Sequence, residues 1–199
     1  MIIRKLFKFN GQHIVRDCSS ERCKYSIHSH SYIVEVFLKS DQLDNGQMVV
    51  DFGLLKGTVK DFIDSFDHAY SMWDREYDDY KNFMKENSAR WIEMPVSPSA
   101  EMYSLMFYAL ITSVLDNTQF NNGEKNVRLH SVRVHETDTG YAESFFEDFL
   151  DIWLKNDYDI SQIKFSEQIK NEWKDPEMFD KLLNEIPFIN PVVKLKYQK

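Results

Sequence analysis

Two stretches near the start of the chain alternate between apolar and polar residues, and a two-residue period is the pattern of a strand with one buried face. In Arg4–His13, Phe7, Phe9, Gly11 and His13 share one parity, while Arg4, Lys8, Asn10 and Gln12 share the other. In His28–Leu38, the apolar set Tyr32, Val34, Val36 and Leu38 has the same parity as His28 and His30. Both stretches read as half-buried strands, and the polar segment between them, Arg16–Ser26, reads as a loop.

Farther along the period changes. Asp44-Asn45-Gly46 is a turn signal, because Asn-Gly tolerates positive φ, and Met48–Val50 continues as an extended segment. Phe52, Leu55, Val59, Phe62 and Phe66 then recur at spacings of three and four, the stripe of an amphipathic helix. Asp51 would cap it, and Asp67 and His68 would stand at its exit. Asp74–Glu86 reads as a surface helix and Trp91–Met94 as a short strand. Ser97-Pro98 opens a second major helix, with Ser97 as cap and Pro98 in the first turn, running to about Asp116. Its apolar residues form two stripes (Tyr103, Phe107, Leu110, Val114; Met102, Met106, Ala109), so it should be deeply buried or face a partner subunit. Phe120–Asn126 is expected as a loop. Val127–Glu136 and Tyr141–Leu150 are expected as strands joined by Asp138-Thr139-Gly140. The order strand, strand, helix, helix, strand, strand implies an α+β domain with an antiparallel sheet and helices on one face. That domain is expected to span residues 1–150. Residues 151–199 are expected as an extension with a helix from Asp175-Pro176 to near Pro187.

Composition narrows the class. A chain of 199 residues suits one domain with an appendage. The net charge of −8, without a basic cluster, argues against binding nucleic acid through its phosphates. The longest apolar run, Leu105–Ile111, falls far short of the roughly 20 residues that span a bilayer. The first residues lead straight into the strand pattern with no signal-peptide core, and the two cysteines, Cys18 and Cys23, do not make a disulfide framework. A cytoplasmic protein with free thiols is the expectation.

Several residues could carry chemistry. His28 and His30 project to one side of their strand about 7 Å apart, close enough to converge on one ion. His13, at the inward end of a neighbouring strand, would supply a third nitrogen, and three histidines with an open fourth position is a catalytic zinc arrangement. Two surface histidines beside a loop would give the same spacing. Asp67 could fix the tautomer of His68, although adjacent residues rarely pair without a tertiary contact; both could equally be helix-terminal polar groups. Glu136 ends an apolar strand face, where a carboxylate is costly unless paired. It would suit a ligand with adjacent N–H donors, or stand in water at the strand's end. Cys23 is a candidate base or nucleophile if a metal lies near, and otherwise a loop thiol. His130 and His135 receive no role.

Seven pieces in register across residues 7–148 resemble the 6-pyruvoyltetrahydropterin synthase/6-carboxytetrahydropterin synthase family. They are Phe9–His13, Cys23 ahead of His28–Tyr32, Gly46–Phe52, Leu54–Lys56, Phe66–His68, Ser97–Glu101 and Val132–Thr137. The resemblance implies the tunnelling fold, a four-stranded antiparallel sheet with two helices on one face, assembled as trimers that stack into a hexamer. It implies zinc on His13, His28 and His30. It assigns proton transfer to Cys23, Asp67 and His68, and pterin binding to Glu136, with Glu101 near the pterin pocket. In this family Asp67 and His68 need not come from the chain that holds the zinc.

Three features depart from the family pattern. Its His-Gly-His is here His28-Ser29-His30. The spacing from Cys23 to His28 differs from the best-known branches, and the stretch from His68 to Pro98 and residues 151–199 are additions to the compact core. The implied activity is a zinc-dependent lyase acting on 7,8-dihydroneopterin triphosphate. It would yield 6-carboxy-5,6,7,8-tetrahydropterin on the route to 7-deazaguanine compounds such as queuosine. The alternatives are a 6-pyruvoyltetrahydropterin synthase and a noncatalytic zinc-containing pterin-binding assembly protein.

Overall fold

The computed structural model describes residues 1–190; the last part of the expected extension, 191–199, lies outside the described residues. The two alternating stretches are the long strands β1 (Ile2–His13) and β2 (His28–Lys39), separated by a single helical turn, α1 (Glu21–Tyr25). They pair antiparallel in a register that sets His13 opposite His28 and Gly11 opposite His30. Gly11 has a steric reason to lack a side chain: a Cβ there would stand 3.0 Å from the Phe9 ring.

The first helix is shorter than its stripe. Leu54–Lys56 forms a 3-10 turn and α2 covers only Thr58–Asp64, leaving Phe52 exposed. Asp51 does not cap α2; its carboxylate accepts the Gly53 N–H in the turn before it. The Asn45-Gly46 corner is closed by Asp44, whose side chain accepts from Gly46 and Met48, and the left-handed residue there is Gln47, φ 62°. Among the described residues, Met48–Val50 pairs with no strand.

Next come β3 (Tyr70–Trp73), α3 (Asp78–Asn87) and β4 (Trp91–Met94). β3 and β4 are parallel, and α3 makes the crossover that a parallel pair requires. α4 (Ala100–Asp116) is buried along most of its length, as two apolar stripes demand. Its cap is Ser99, whose hydroxyl accepts from Met102, rather than Ser97. β5 (Thr118–Phe120) precedes β6 (Arg128–Thr137) and β7 (Gly140–Ser144). The strand expected to reach Leu150 stops at Ser144. The chain turns helical through α5 (Phe146–Asp148) and a π-helical segment, Phe149–Trp153, because consecutive Phe145 and Phe146 break the alternation. The extension adds β8 (Lys164–Phe165), α6 (Glu167–Glu172), α7 (Met178–Leu183) and β9 (Phe188–Asn190).

The expected four antiparallel strands are present as β7-β6-β2-β1, but the sheet does not end there. Its full order is β7-β6-β2-β1-β3-β4-β8, seven strands with a parallel segment, and β5 and β9 pair separately. The inserted residues thus lengthen the sheet, and the extension supplies its last strand. One core joins Phe9, Val34 and Val134 of the sheet to Phe62, Phe66, Tyr103 and Phe107 of the helices, and also to Trp153, Phe165, Trp173 and Phe179 of the extension. Among the described residues no helix is long and apolar enough to cross a membrane.

Candidate metal centre and proton-transfer dyad

The β1–β2 register brings three imidazoles to the open end of the apolar face. The rings of His13 and His28 are 4.4 Å apart, His13 and His30 5.3 Å, and His28 and His30 5.2 Å. One nitrogen from each lies within 4.8 Å of the others, a group able to hold a metal ion. Ser29 has the opposite parity, so a serine in place of glycine leaves the trio intact.

Backbone carbonyls orient two of the rings. His13 Nδ1–H donates to the Pro98 carbonyl at 2.5 Å and His28 Nδ1–H to the Ser26 carbonyl at 2.9 Å. Each leaves Nε2 as the ligand atom, the outer-shell arrangement that fixes a metal-binding tautomer. Burial, with the like charges of His28 and His30 adding to it, brings the His13 pKa down to about 4 against the pull of the Pro98 bond. His30 is likewise lowered, by burial first and by His28, against the attraction of Glu136. Both favour the neutral form that a metal needs.

Glu136 belongs to this centre. Its Oε1 stands 3.7 Å from Nε2 of both His13 and His30, and 3.5 Å from the Tyr32 hydroxyl. Tyr32, opposite Phe9 in the register, was not singled out by sequence, although it continues the His28–His30 parity. Its hydroxyl is 3.3 Å from both nitrogens of His13, and its ring stacks on Phe9 at 4.7 Å. Burial, reinforced by Tyr103, Glu136 and Cys23, drives its pKa far up and keeps it a protonated donor. The Val15 N–H donates to the Cys23 carbonyl at 3.0 Å, which ties α1 to the chain just beyond His13. Cys18 is also free, and its thiol turns to the Ser20 carbonyl at 3.2 Å. Glu101 sits exposed in the first turn of α4.

Asp67 and His68 pair directly, Oδ2 to Nδ1 at 2.8 Å, with the tertiary contact that adjacent residues need. A left-handed backbone at His68, φ 53°, turns its ring back onto Asp67. The strand partner fixes both: the His68 N–H donates to the Asn10 carbonyl, and the Asn10 N–H donates to Asp67 Oδ1, each at 2.7 Å. Burial pushes the Asp67 carboxyl up, but the Asn10 N–H, His68 and the charge of Arg90 together hold it below its usual value. The pair lines a cleft of about 400 Å³ with Lys8, Asp64, Arg90 and Glu172. Lys8 has the parity opposite to His13, so within one chain the dyad opens on the other side of β1 from the histidines.

His135 joins a separate network on the outer sheet face, where the buried carboxylate of Glu35 accepts from Arg4, Arg133 and His135. A cavity of about 490 Å³, lined by Tyr108, Thr112, Asp116, His130 and Phe145, also borders Lys39 and Arg128, at the end of the sheet remote from the metal centre.

The chain is similar to known proteins of one family. Two 6-carboxy-5,6,7,8-tetrahydropterin synthases of Helicobacter pylori strains are 41% and 40% identical over 185 residues, covering 93% of this chain and 92% of theirs. That span takes in most of the extension. A synthase of the same name from Aquifex aeolicus is 30% identical over 67% of this chain and 82% of its own. Among solved structures, an uncharacterized protein of Wolinella succinogenes superposes with a TM-score of 0.57 at 19% identity, over 73% of this chain and 98% of that one. Plasmodium vivax 6-pyruvoyltetrahydropterin synthase gives 0.54 at 19%, over 72% and 97%. The profile described as 6-pyruvoyl tetrahydropterin synthase matches residues 2–147, and with these relatives it establishes that the chain belongs to the 6-pyruvoyl tetrahydropterin synthase family of pterin-synthase enzymes.

Proposed function

We propose that this chain is a zinc-dependent lyase that converts 7,8-dihydroneopterin triphosphate to 6-carboxy-5,6,7,8-tetrahydropterin with loss of triphosphate, in the cytoplasm and on the route to 7-deazaguanine compounds such as queuosine. The observation that carries it is the three-imidazole cluster with Glu136 beside it, in a chain whose Helicobacter pylori relatives bear the 6-carboxy name. His13, His28 and His30 would hold the ion through nitrogens that no backbone carbonyl occupies. A bound zinc ion would supply Lewis-acid polarisation of the substrate's side-chain oxygens. Glu136 accepts from the N–H edge of the pterin ring, with Glu101 near that pocket. Cys23 and the Asp67–His68 pair take and return protons at the side-chain carbons, Asp67 holding Nδ1 so that Nε2 of His68 is free.

The same reading includes a hexamer built as a dimer of trimers. The dyad and the histidines open on opposite sides of β1, which suits a site completed between subunits. On its side away from β2, β1 pairs with β3 only at Gln12 and His13, which leaves most of that side open among the described residues, and β7 and β8 are the sheet's edge strands. Closing such edges against further copies removes unpaired backbone groups. Sedimentation showing a stable monomer at micromolar concentration would contradict the assembly.

Incubation of the zinc-loaded protein with 7,8-dihydroneopterin triphosphate, with products read by mass spectrometry, tests the activity. Formation of 6-carboxytetrahydropterin is the expected result. 6-Pyruvoyltetrahydropterin as the end product would move the chain to the other branch, and bound pterin without turnover would make it an assembly protein.

A further inference from the structure

A helix that stops leaves its last carbonyls without partners, and α2 stops just before the dyad. Arg90, at the entry to β4, gathers three carbonyls of this end and of the turn after it, of which that of Asp64 also accepts the Asp67 N–H at 3.0 Å. Its Nη2 donates to the carbonyls of Asp64 at 3.0 Å and Ser65 at 3.2 Å, and its Nε donates to that of Asp67 at 2.9 Å. A planar guanidinium can serve several acceptors in one fixed geometry, which a lysine ammonium cannot. Its remaining nitrogen, Nη1, is held by Glu172 at the end of α6, and Gln168 steadies that carboxylate at 2.7 Å.

The next two residues of the extension continue the attachment. The Trp173 indole donates to the Ser65 hydroxyl at 2.8 Å, and the Lys174 N–H donates to Asp61 at 3.1 Å. Beneath them, Phe165, Trp173 and Phe179 pack around Phe62 of α2, with ring centroids 5.9–6.2 Å away. Residues 172–174 therefore fasten the end of α2 from outside, while Asn10 holds the dyad from the strand side.

His68 needs such support. A non-glycine residue at φ 53° persists when its surroundings over-determine it. We propose that Arg90, backed by Glu172 and Trp173, is a positioning residue that holds the His68 imidazole in register for proton transfer, which makes the C-terminal extension a working part of the active site. This rests on the role given to Asp67 and His68 above.

The test uses full-length, zinc-loaded protein carrying Arg90→Gln, Arg90→Lys, Glu172→Ala or Glu172→Gln. A displacement of about 1 Å in a reacting group can cost about 100-fold in rate. Arg90→Gln should therefore lower kcat about 10–100-fold, with KM within about twofold and zinc content unchanged. Glu172→Ala should give a smaller loss, and Glu172→Gln, which keeps an oxygen for Nη1, should restore most of it. Arg90→Lys should fall between Arg90→Gln and the parent. Hydrogen exchange of the amides in residues 65–70, read without substrate, should speed up about 10-fold in Arg90→Gln as local opening becomes easier. Parental kcat in Arg90→Gln would overturn the proposal. So would a kcat loss tracked in every variant by equal losses of bound zinc and thermal midpoint. If the parent makes no pterin product, the functional reading falls on its own; unchanged exchange in Arg90→Gln would still overturn the positioning claim.

Discussion

His13 and His68 both owe their place to β1, yet their environments are opposite. His13 is 0% exposed, donates to a proline carbonyl and is kept neutral by burial. The His68 side chain is 76% exposed and is aimed by a left-handed backbone and a carboxylate. The buried ring has its protonation state set by desolvation and its direction set by packing, so it needs no further partner to be a ligand. The exposed ring has its direction fixed but sits in water. In the proposed function it would carry protons once substrate or a second copy of the chain covers it. One strand thus serves two kinds of histidine, and the two should fail in different ways.

The largest effect should come from the buried side. His28→Ala and His30→Ala should each lose the zinc, expected at about one ion per chain, and turnover with it. Metal analysis of both decides this, and unchanged zinc in both would remove the site. On the exposed side, His68→Ala should lower kcat about 100- to 10,000-fold, the range of a lost general acid or base, while zinc stays bound. Zinc loss in that variant would erase the distinction between the two regions.

Acid should separate them next. In metal-free protein, His13 titrates at about 4 instead of 6.5, so the folded form refuses a proton that the unfolded chain accepts. The stability this contributes is complete above pH 6.5 and is lost progressively down to pH 4, about 3 kcal/mol in all. Asp67 is depressed instead, so its contribution is present above the ordinary carboxylate range and is lost only as pH falls through its lower folded value. Urea unfolding at stepped pH should therefore show His13→Gln flattening the slope between 6.5 and 4, and Asp67→Asn leaving that slope alone. Glu136→Gln comes after these. Trading a charged acceptor for an amide should weaken pterin binding about 10–100-fold, since hydrogen bonds to charged groups contribute about 1.5–3 kcal/mol. Zinc content should hold, and normal pterin affinity would make Glu136 a solvated strand end.

The buried region was the more legible of the two. Parity alone put His13, His28 and His30 on the face that carries Phe9 and Val34, because a half-buried strand writes its period into every second residue. Parity also extended to Tyr32, and could have found it. The exposed region left little local trace. The contact between Asp67 and His68 depends on a backbone angle that no neighbouring residue announces, and its anchor, Asn10, lies far away in sequence. Of the extra strands, Trp91–Met94 was legible, but β3 buries Tyr70, Ser71 and Met72 in a row and so shows no alternation, and β8 is only two residues long. Phe52 misled because three-and-four spacing is also met by a 3-10 turn followed by a helix. Arg90 and Glu172, 82 positions apart, could not be paired by pattern at all.

Tyr32→Phe makes the finest test of the comparison, and the smallest expected change. The substitution keeps the ring that stacks on Phe9 and meets Tyr103 edge-on at 5.3 Å, so packing and thermal midpoint should barely move. It deletes only the hydroxyl that stands 3.3 Å from His13 and 3.5 Å from Glu136. Burial keeps that hydroxyl protonated, so it has one proton to share between a ligand ring and the proposed pterin anchor. If the buried centre is set by its outer contacts, removing this one should cost about 10-fold in zinc affinity or in kcat, the lower end for an outer-shell partner. His68-dependent behaviour should not change, because the hydroxyl lies on the other side of β1. A chelator competition and a kcat measurement on the same preparation would separate the two possibilities. Parental values in both would reduce Tyr32 to packing and leave the carbonyls of Pro98 and Ser26 as the outer contacts that orient the cluster.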